Sequence, residues 1–167
     1  MNILRKLVVF DVDCILWNFG IEGGFTKLAK KFGHRKEVEE IHEESKKRNY
    51  IVAAFSSNPT VILEILQKKL NIDCVFGNVL EAKNGKFTGR FTKKMDRYQK
   101  TDELKKLVKK LSIRRNDIYV IGDSITDVPM TKEGGTFIVF NPKDEVEEYA
   151  DHAVKSNDLQ DILRYIK

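Results

Sequence analysis

The chain has 167 residues; 41% are hydrophobic, 33% are charged, and the formal net charge at pH 7 is +5. This composition is typical of a globular domain and excludes a disordered chain, and no apolar run is long enough to cross a bilayer. A chain of this length suits a single domain, here residues 1–167, which buries roughly 70% of the surface that its unfolded form exposes.

The N-terminal residues and the cysteines bear on where the protein works. Residues 1–6 lead directly into an apolar segment without the cleavage site of a secretion signal, so we expect a cytoplasmic protein that does not bind membranes. Cys14 and Cys74 lie far apart and lack the paired spacing of zinc ligands. Two reduced thiols are therefore expected.

The first predicted element is a buried strand that ends in carboxylates. The run Leu7 to Asp11 is apolar up to its last residue, and Asp13 follows after one further position. A carboxylate at the end of a buried strand is costly to desolvate unless a cation or hydrogen-bond donors meet it. We therefore expect a positively charged partner beside Asp11 and Asp13.

Helices are predicted on either side of the second strand. Apolar spacing predicts one over Phe25 to Phe32 and, from a weaker pattern, another over about Lys36 to Arg48. The strand Ile51 to Phe55 then ends in the polar run Ser56-Ser57-Asn58. Pro59 opens a further helix, Thr60 to about Leu70, because the first turn of a helix accepts proline.

A hairpin is predicted near the middle of the chain. After a short strand, Cys74 to Phe76, the segment Leu80 to Arg90 carries Asn84-Gly85 between two extended runs. Asn-Gly in this setting is the strongest local signal for a two-residue hairpin turn. We expect a small antiparallel hairpin here.

The remaining elements again alternate between helix and strand. Apolar spacing predicts a helix that begins near Thr101 and ends at Leu111, and strands follow over Asp117 to Ile121, Thr136 to Phe140 and Ala153 to Val154. Such alternation predicts an α/β fold: a three-layer, Rossmann-like parallel sheet with helices on both faces.

Acidic residues collect at one predicted edge of this sheet. Asp11 and Asp13 follow the first strand, and Asp123 and Asp127 follow the strand that ends at Ile121. Reactive groups gather where parallel strands end, and four carboxylates brought together there repel one another unless a divalent cation lies among them. An all-oxygen ligand set favours Mg²⁺. Taken singly, Asp123 and Asp127 also fit turn or cap positions.

The order of these residues carries a family resemblance. The set Asp11-x-Asp13, Ser56, Lys100 and Gly122-Asp123-x-x-x-Asp127 resembles the four signature motifs of the haloacid dehalogenase superfamily of aspartate-nucleophile phosphohydrolases. The segments SSNPTVILEILQKKLNIDCVFGNVLEAKNGKFTGRF, KTDELKKL and IGDSITDVPM resemble its phosphoserine phosphatase branch. The resemblance implies a Mg²⁺-dependent phosphomonoester hydrolase that acts on a small phosphorylated metabolite.

The resemblance also implies a role for each residue. Asp11 would be the nucleophile that forms an aspartyl phosphate, and Asp13 the general acid and base. Four residues would form or flank the metal site: Asp11, Asp13 through its backbone carbonyl, Asp123 and Asp127.

The same resemblance implies a phosphate site. Ser56 and the amide of Ser57 would bind phosphate oxygens at the N-terminus of a helix. Lys100 would neutralise the phosphoryl charge, and it is preferred over Lys93 and Lys94 because it directly precedes the helix expected near Thr101.

The chain departs from the family in its cap, the insertion that usually selects the substrate. Only residues of about 18–49 are available for it, and Gly20 stands where the phosphoserine phosphatases have a substrate-binding carboxylate. A reduced cap predicts an open site that admits a bulky phosphomonoester or a lid from a neighbouring subunit, which would make a homo-oligomer.

Two alternative functions stay open. The basic stretch from Lys93 to Arg115 fits a solvated helix face, and it also fits a nucleic-acid surface, which would indicate a phosphatase of nucleic-acid ends. The chain would alternatively be a phosphate-binding regulatory protein with little turnover.

Overall fold

The computed structural model of the protein describes residues 5–12 and 36–167. Within these residues seven strands form one sheet in the order β4-β3-β2-β1-β5-β6-β7. All neighbouring strands are parallel except β3 and β4. The strands are β1 Leu7–Asp11, β2 Ile51–Pro59, β3 Cys74–Lys83, β4 Lys86–Lys93, β5 Ile118–Gly122, β6 Thr136–Phe140 and β7 His152–Val154.

Helices cover both faces of the sheet. The α-helices of the described residues are α1 Lys36–Lys47, α2 Thr60–Leu70 and α3 Arg97–Leu111. Ile41 of α1 and Leu63 of α2 pack into the core on one face, whereas Leu104 of α3 packs on the other. This arrangement confirms the predicted three-layer α/β fold. In the part of the chain that the structure describes, no helix has the length and apolar character needed to cross a membrane.

Strands β1 and β5 lie at the centre of the sheet, and every residue of both is buried. Neighbouring strands and covering helices enclose them on all sides, which explains their nearly continuous apolar sequences. In the sheet register Asp11 lies beside Phe55 of β2, and Phe10 lies beside Ile121 of β5. The residues that follow these positions, Ser56 and Gly122, are thereby placed next to the end of β1.

The predicted hairpin is present and is longer than expected. Asn84 and Gly85 have φ angles of 50° and 74°, the positive values that a type I′ turn requires at both central positions. The expected short strand at Cys74 is the start of β3, which pairs with β2 as far as Asn78 and then pairs with β4. The hairpin therefore extends beyond the edge at which the parallel strands end.

Several element boundaries differ from the sequence predictions. Strand β2 continues through an irregular pairing to Pro59, and β5 begins one residue late because Asp117 ends a short 3-10 turn. Helix α3 begins at Arg97 rather than near Thr101 because the side chain of Asp96 accepts hydrogen bonds from the amides of its first turn.

Two predictions cannot be compared with the fold. The helix predicted over Phe25 to Phe32 lies outside the described residues, as does most of the reduced cap of about 18–49. The division into a single domain with a small cap stays a prediction.

Candidate active site

Three aspartates meet at the carboxyl ends of β1 and β5. Asp11 is the last residue of β1, Asp123 follows β5 directly, and Asp127 directly precedes the next short 3-10 helix. All three are buried, and one oxygen from each lies within 4.8 Å of the other two. The predicted site residue Asp13 lies outside the described residues.

Lys100 joins two of these carboxylates. Its Nζ lies 2.6 Å from Oδ1 of Asp11 and 3.1 Å from Oδ1 of Asp127, and its side chain is buried with them. Burial acts to lower the pKa of Lys100, but the two carboxylates outweigh burial and raise the pKa above its ordinary value. Lys100 is therefore a permanent cation at this site.

The position of Lys100 in its helix corrects the sequence prediction. It lies inside the first turn of α3 rather than before the helix, because Asp96 starts α3 at Arg97. The two other lysines considered for the phosphate site have different surroundings: Lys93 pairs with Glu103 at 3.0 Å, and Lys94 is exposed.

Lys143 is a second cation of the site, and the sequence analysis gave it no role. Its Nζ lies 2.5 Å from Oδ2 of Asp123, and its backbone N–H donates to the carbonyl of Asp123 at 2.7 Å. The available signal was the polar segment Asn141-Pro142-Lys143, which follows β6 at the same edge of the sheet. The two lysines together offset two of the three negative charges.

Gly122 allows Asp127 to approach the end of β5. A Cβ atom at Gly122 would lie 2.5 Å from Oδ2 of Asp127 and 2.8 Å from its Cβ, which is closer than van der Waals contact permits. The same Oδ2 faces the amide of Asp123 and the hydroxyl of Ser124, each at 3.4 Å. The glycine of the Gly-Asp pair is thus a steric requirement for this carboxylate position.

The predicted phosphate-binding residues lie at the end of β2. Ser56 is fully buried, and its Oγ accepts hydrogen bonds from the backbone N–H of Asn58 at 2.9 Å and from its side-chain amide at 2.8 Å. Ser57 is exposed, and its carbonyl accepts a hydrogen bond from the side chain of Asn78. Helix α2 begins just afterwards, preceded by Pro59, so its N-terminal amides lie at this edge.

The chemistry of the acidic cluster fits a divalent cation. All three candidate ligands are carboxylate oxygens, which hard cations prefer. Two oxygens on opposite sides of one Mg²⁺ ion are about 4.2 Å apart, and the oxygens of this cluster all lie within 4.8 Å of one another. One negative charge remains after the two lysines are counted, and it favours a bound cation.

Comparison with known proteins decides the family. A sequence profile described as haloacid dehalogenase-like hydrolase matches residues 18–132. The chain belongs to this family. The phosphoserine phosphatase of Methanocaldococcus jannaschii is 33% identical over 142 residues, which are 84% of this chain and 67% of that protein. The phosphoserine phosphatase of Archaeoglobus fulgidus is 28% identical over 131 residues, 78% of this chain and 38% of that protein.

A solved structure of a related protein agrees with this assignment. A phospho-aspartyl intermediate analogue of phosphoserine phosphatase superposes with a TM-score of 0.84 at 27% identity, covering 98% of this chain and 99% of that one. The predicted class, a phosphatase of this family that resembles phosphoserine phosphatases, is confirmed. The roles of the individual site residues stay predictions.

Proposed function

We propose that the protein hydrolyses small phosphomonoesters with the help of Mg²⁺, through a phosphoryl group carried on Asp11. The observation that carries this proposal is the buried contact between Asp11 and Lys100 beside Asp123 and Asp127. Such a site combines a nucleophile, a fixed cation and ligands for a metal.

In the first step a carboxylate oxygen of Asp11 attacks phosphorus in line with the leaving oxygen. The new O–P bond forms as the bond to the leaving alkoxide breaks. Lys100 contacts the Asp11 carboxylate and orients it, and its ammonium group offsets charge on the phosphoryl oxygens in the transition state.

Proton transfer falls to Asp13 in this scheme. Asp13 protonates the leaving alkoxide and then accepts a proton from the water that hydrolyses the aspartyl phosphate. This assignment comes from the Asp-x-Asp motif, because Asp13 lies outside the described residues.

Phosphate oxygens are bound at the end of β2. Oγ of Ser56 accepts both hydrogen bonds from Asn58. In this scheme the O–H of Ser56 donates to a phosphate oxygen. The amide of Ser57 and the N-terminus of α2 supply further donors and a favourable dipole.

Mg²⁺ would be held by Asp11, Asp123 and the backbone carbonyl of Asp13, with Asp127 close by, and it would stabilise negative charge on the transferred phosphoryl group. The protein itself then contributes the arrangement of ligands. Gly122 gives Asp127 its position, and in the absence of a metal ion Lys143 limits the repulsion between Asp123 and its neighbours.

The substrate class proposed is a small phosphorylated metabolite, for which phosphoserine is the first compound to assay because the relatives bear its name. Gly20 stands where that branch has a substrate-binding carboxylate. We therefore expect little preference for phosphoserine over phosphomonoesters of similar size that lack the amino group.

The test is an assay of the purified protein with Mg²⁺ against phosphoserine, sugar phosphates, nucleotides and phosphorylated oligonucleotides. We expect release of phosphate from several small esters, dependence on Mg²⁺, and no release by Asp11→Asn. Stoichiometric phosphate binding without turnover on the whole panel would overturn the proposal and favour a regulatory protein.

A further inference from the structure

The β3–β4 hairpin exposes aromatic side chains. Phe87 and Phe91 are 60% and 43% exposed, and they lie opposite Ala82 and Leu80 in the strand register. The register is irregular between these two pairs, where Gly89 has a φ angle of 81°, and the two phenylalanines lie on either side of this irregularity on β4. Tyr98, 67% exposed, adds an aromatic ring in the first turn of α3.

The same segment is strongly basic. Residues 83–97 contain six lysines and arginines and one acid, Asp96, which caps α3. Lys83 and Lys93 pair with glutamates. The other exposed cations on the hairpin and the loop after it form no ion pair with the described residues; they are Lys86, Arg90 and Lys94. We call the three exposed aromatic residues and these three cations the hairpin surface.

The hairpin surface lies at the edge of the sheet that carries the active site. The pairing of β3 with β2 ends at Asn78, opposite Pro59, and β3 continues for the five residues Val79 to Lys83. At roughly 3.3 Å per residue, the hairpin projects about 16 Å past this point. Asp11 and Ser56 lie at the ends of the neighbouring strands, on this same edge.

Charge decides which partner fits. Strand β4 is an edge strand, and two copies that paired through it would bring Lys86 and Arg90 of each chain together; basic side chains on an edge strand prevent such pairing. Exposed aromatic rings among cations that form no ion pair with the described part of the chain suit a polyanion that has flat bases, since bases stack on the rings and phosphates bind the cations.

We propose that the hairpin surface binds single-stranded nucleic acid. This binding goes beyond the proposed function, because it requires neither a metal ion nor hydrolysis. The proposed binding site does not include the lysines of α3. One of these, Lys106, pairs with Glu103 at 2.8 Å.

The test is fluorescence anisotropy of a labelled single-stranded oligothymidylate across a range of salt concentrations. Replacing Phe87 and Phe91 together with alanine should weaken binding by about tenfold or more, since each stacked base contributes substantially. Lys86→Gln with Arg90→Gln should reduce the magnitude of the slope of log affinity against log salt concentration by about 1.4, because each phosphate contact with a single strand contributes about 0.7.

The matched control is Lys68→Gln with Lys69→Gln. These exposed lysines lie in the last turn of α2, at the opposite edge of the sheet, and the control removes the same charge. It should leave binding unchanged. Every variant should keep its hydrolysis of a small phosphomonoester, which separates failure of this proposal from failure of the proposed function.

Three results would overturn the proposal. The first is an absence of binding at low salt. The second is a loss of affinity in the α2 control equal to the loss in the hairpin variants, or competition by heparin together with full binding by the alanine variant. Either outcome would mean that the oligonucleotide binds to positive charge in general. The third is a dimer in sedimentation analysis that the alanine variant abolishes, which would assign the surface to a second copy of the chain.

Discussion

The ammonium group of Lys100 lies 2.6 Å from a carboxylate oxygen of Asp11, although the two residues are 89 positions apart in the sequence. Both side chains are buried, and Lys100 also reaches Asp127 at 3.1 Å. The contact links the end of β1 to the first turn of α3. It provides a positive charge beside a buried carboxylate, which is costly to desolvate without such a partner.

Replacing Lys100 with methionine should impair both catalysis and stability. We expect kcat to fall by about 10²- to 10³-fold, the usual effect of removing one group that stabilises transition-state charge. Without metal, the free energy of unfolding should drop by about 3–5 kcal/mol because buried carboxylates lose their partner. Steady-state kinetics and urea denaturation measure the two effects. The control is Lys94→Met, which removes an exposed lysine and should change neither kcat nor the free energy of unfolding. An equal loss of activity in Lys94→Met would contradict the assignment of Lys100.

Replacing Lys143 with methionine should tighten metal binding. Lys143 pairs with Asp123 at 2.5 Å and is about half exposed, so it competes with a divalent cation for the same carboxylate. A partly exposed ion pair contributes about 0.2–1 kcal/mol, so the affinity for Mg²⁺ should rise up to about fivefold. Titration calorimetry measures this change. Lys155→Met removes a lysine that pairs with Glu147 at 2.8 Å and should leave the affinity as it is. Weaker Mg²⁺ binding by Lys143→Met would show that the lysine supports the metal site.

Gly122→Ala should damage the metal site more than the fold. The new methyl group would displace Asp127, whose Oδ2 is 2.5 Å from the Cβ position, and overpacking costs about 1–3 kcal/mol. Gly134→Ala is a matched control, since its methyl group would press on the side chain of Val120 at 2.8 Å. Both variants should lose stability in urea, and Gly122→Ala alone should lose Mg²⁺ affinity in calorimetry. Equal Mg²⁺ affinity in the two would refute the steric role of Gly122.

His42 should make the protein less stable in acid. It is buried, and its Nε2 has no hydrogen-bond partner among the described residues. Burial lowers the pKa of His42; Lys46 lowers it further, while Asp73 and Glu43 act in the opposite direction. His42 of the folded protein therefore binds a proton only at a lower pH than His42 of the unfolded chain, which binds one near pH 6.5.

The stability that His42 contributes is complete above pH 6.5 and falls as the pH decreases, by at most about 1.4 kcal/mol per pH unit. Urea denaturation between pH 8 and pH 5 should show a shallower loss of stability for His42→Leu than for the unmodified protein. Parallel pH profiles would mean that His42 does not cause the dependence.

Local signals made much of the fold predictable. The apolar run ending at Asp11 predicted β1, and Asn84-Gly85 predicted the hairpin turn, because each pattern is read from neighbouring residues. Helix α3 begins earlier than its apolar spacing predicts because the side chain of Asp96 caps it at Arg97. Asp96 with Gln99 three residues later is a recognisable capping pattern, so this boundary was available from the sequence.

Contacts between distant segments were harder to predict. The pairing of Lys143 with Asp123 depends on the register of β6 beside β5, and no local pattern specifies it. The steric role of Gly122 likewise depends on how the chain turns back to Asp127. The motif places Lys100 among the site residues, and the structure shows that Lys100 contacts Asp11 from the first turn of α3.

Asp11 is expected to carry the phosphoryl group during turnover. The most direct measurement is mass spectrometry of the peptide that contains Asp11, after the protein with Mg²⁺ and a hydrolysed phosphomonoester is quenched in acid. We predict one phosphoryl group on this peptide, removed by hydroxylamine and absent from Asp11→Asn. An unmodified Asp11 peptide in a protein that still releases phosphate, together with turnover by Asp11→Asn, would contradict the account.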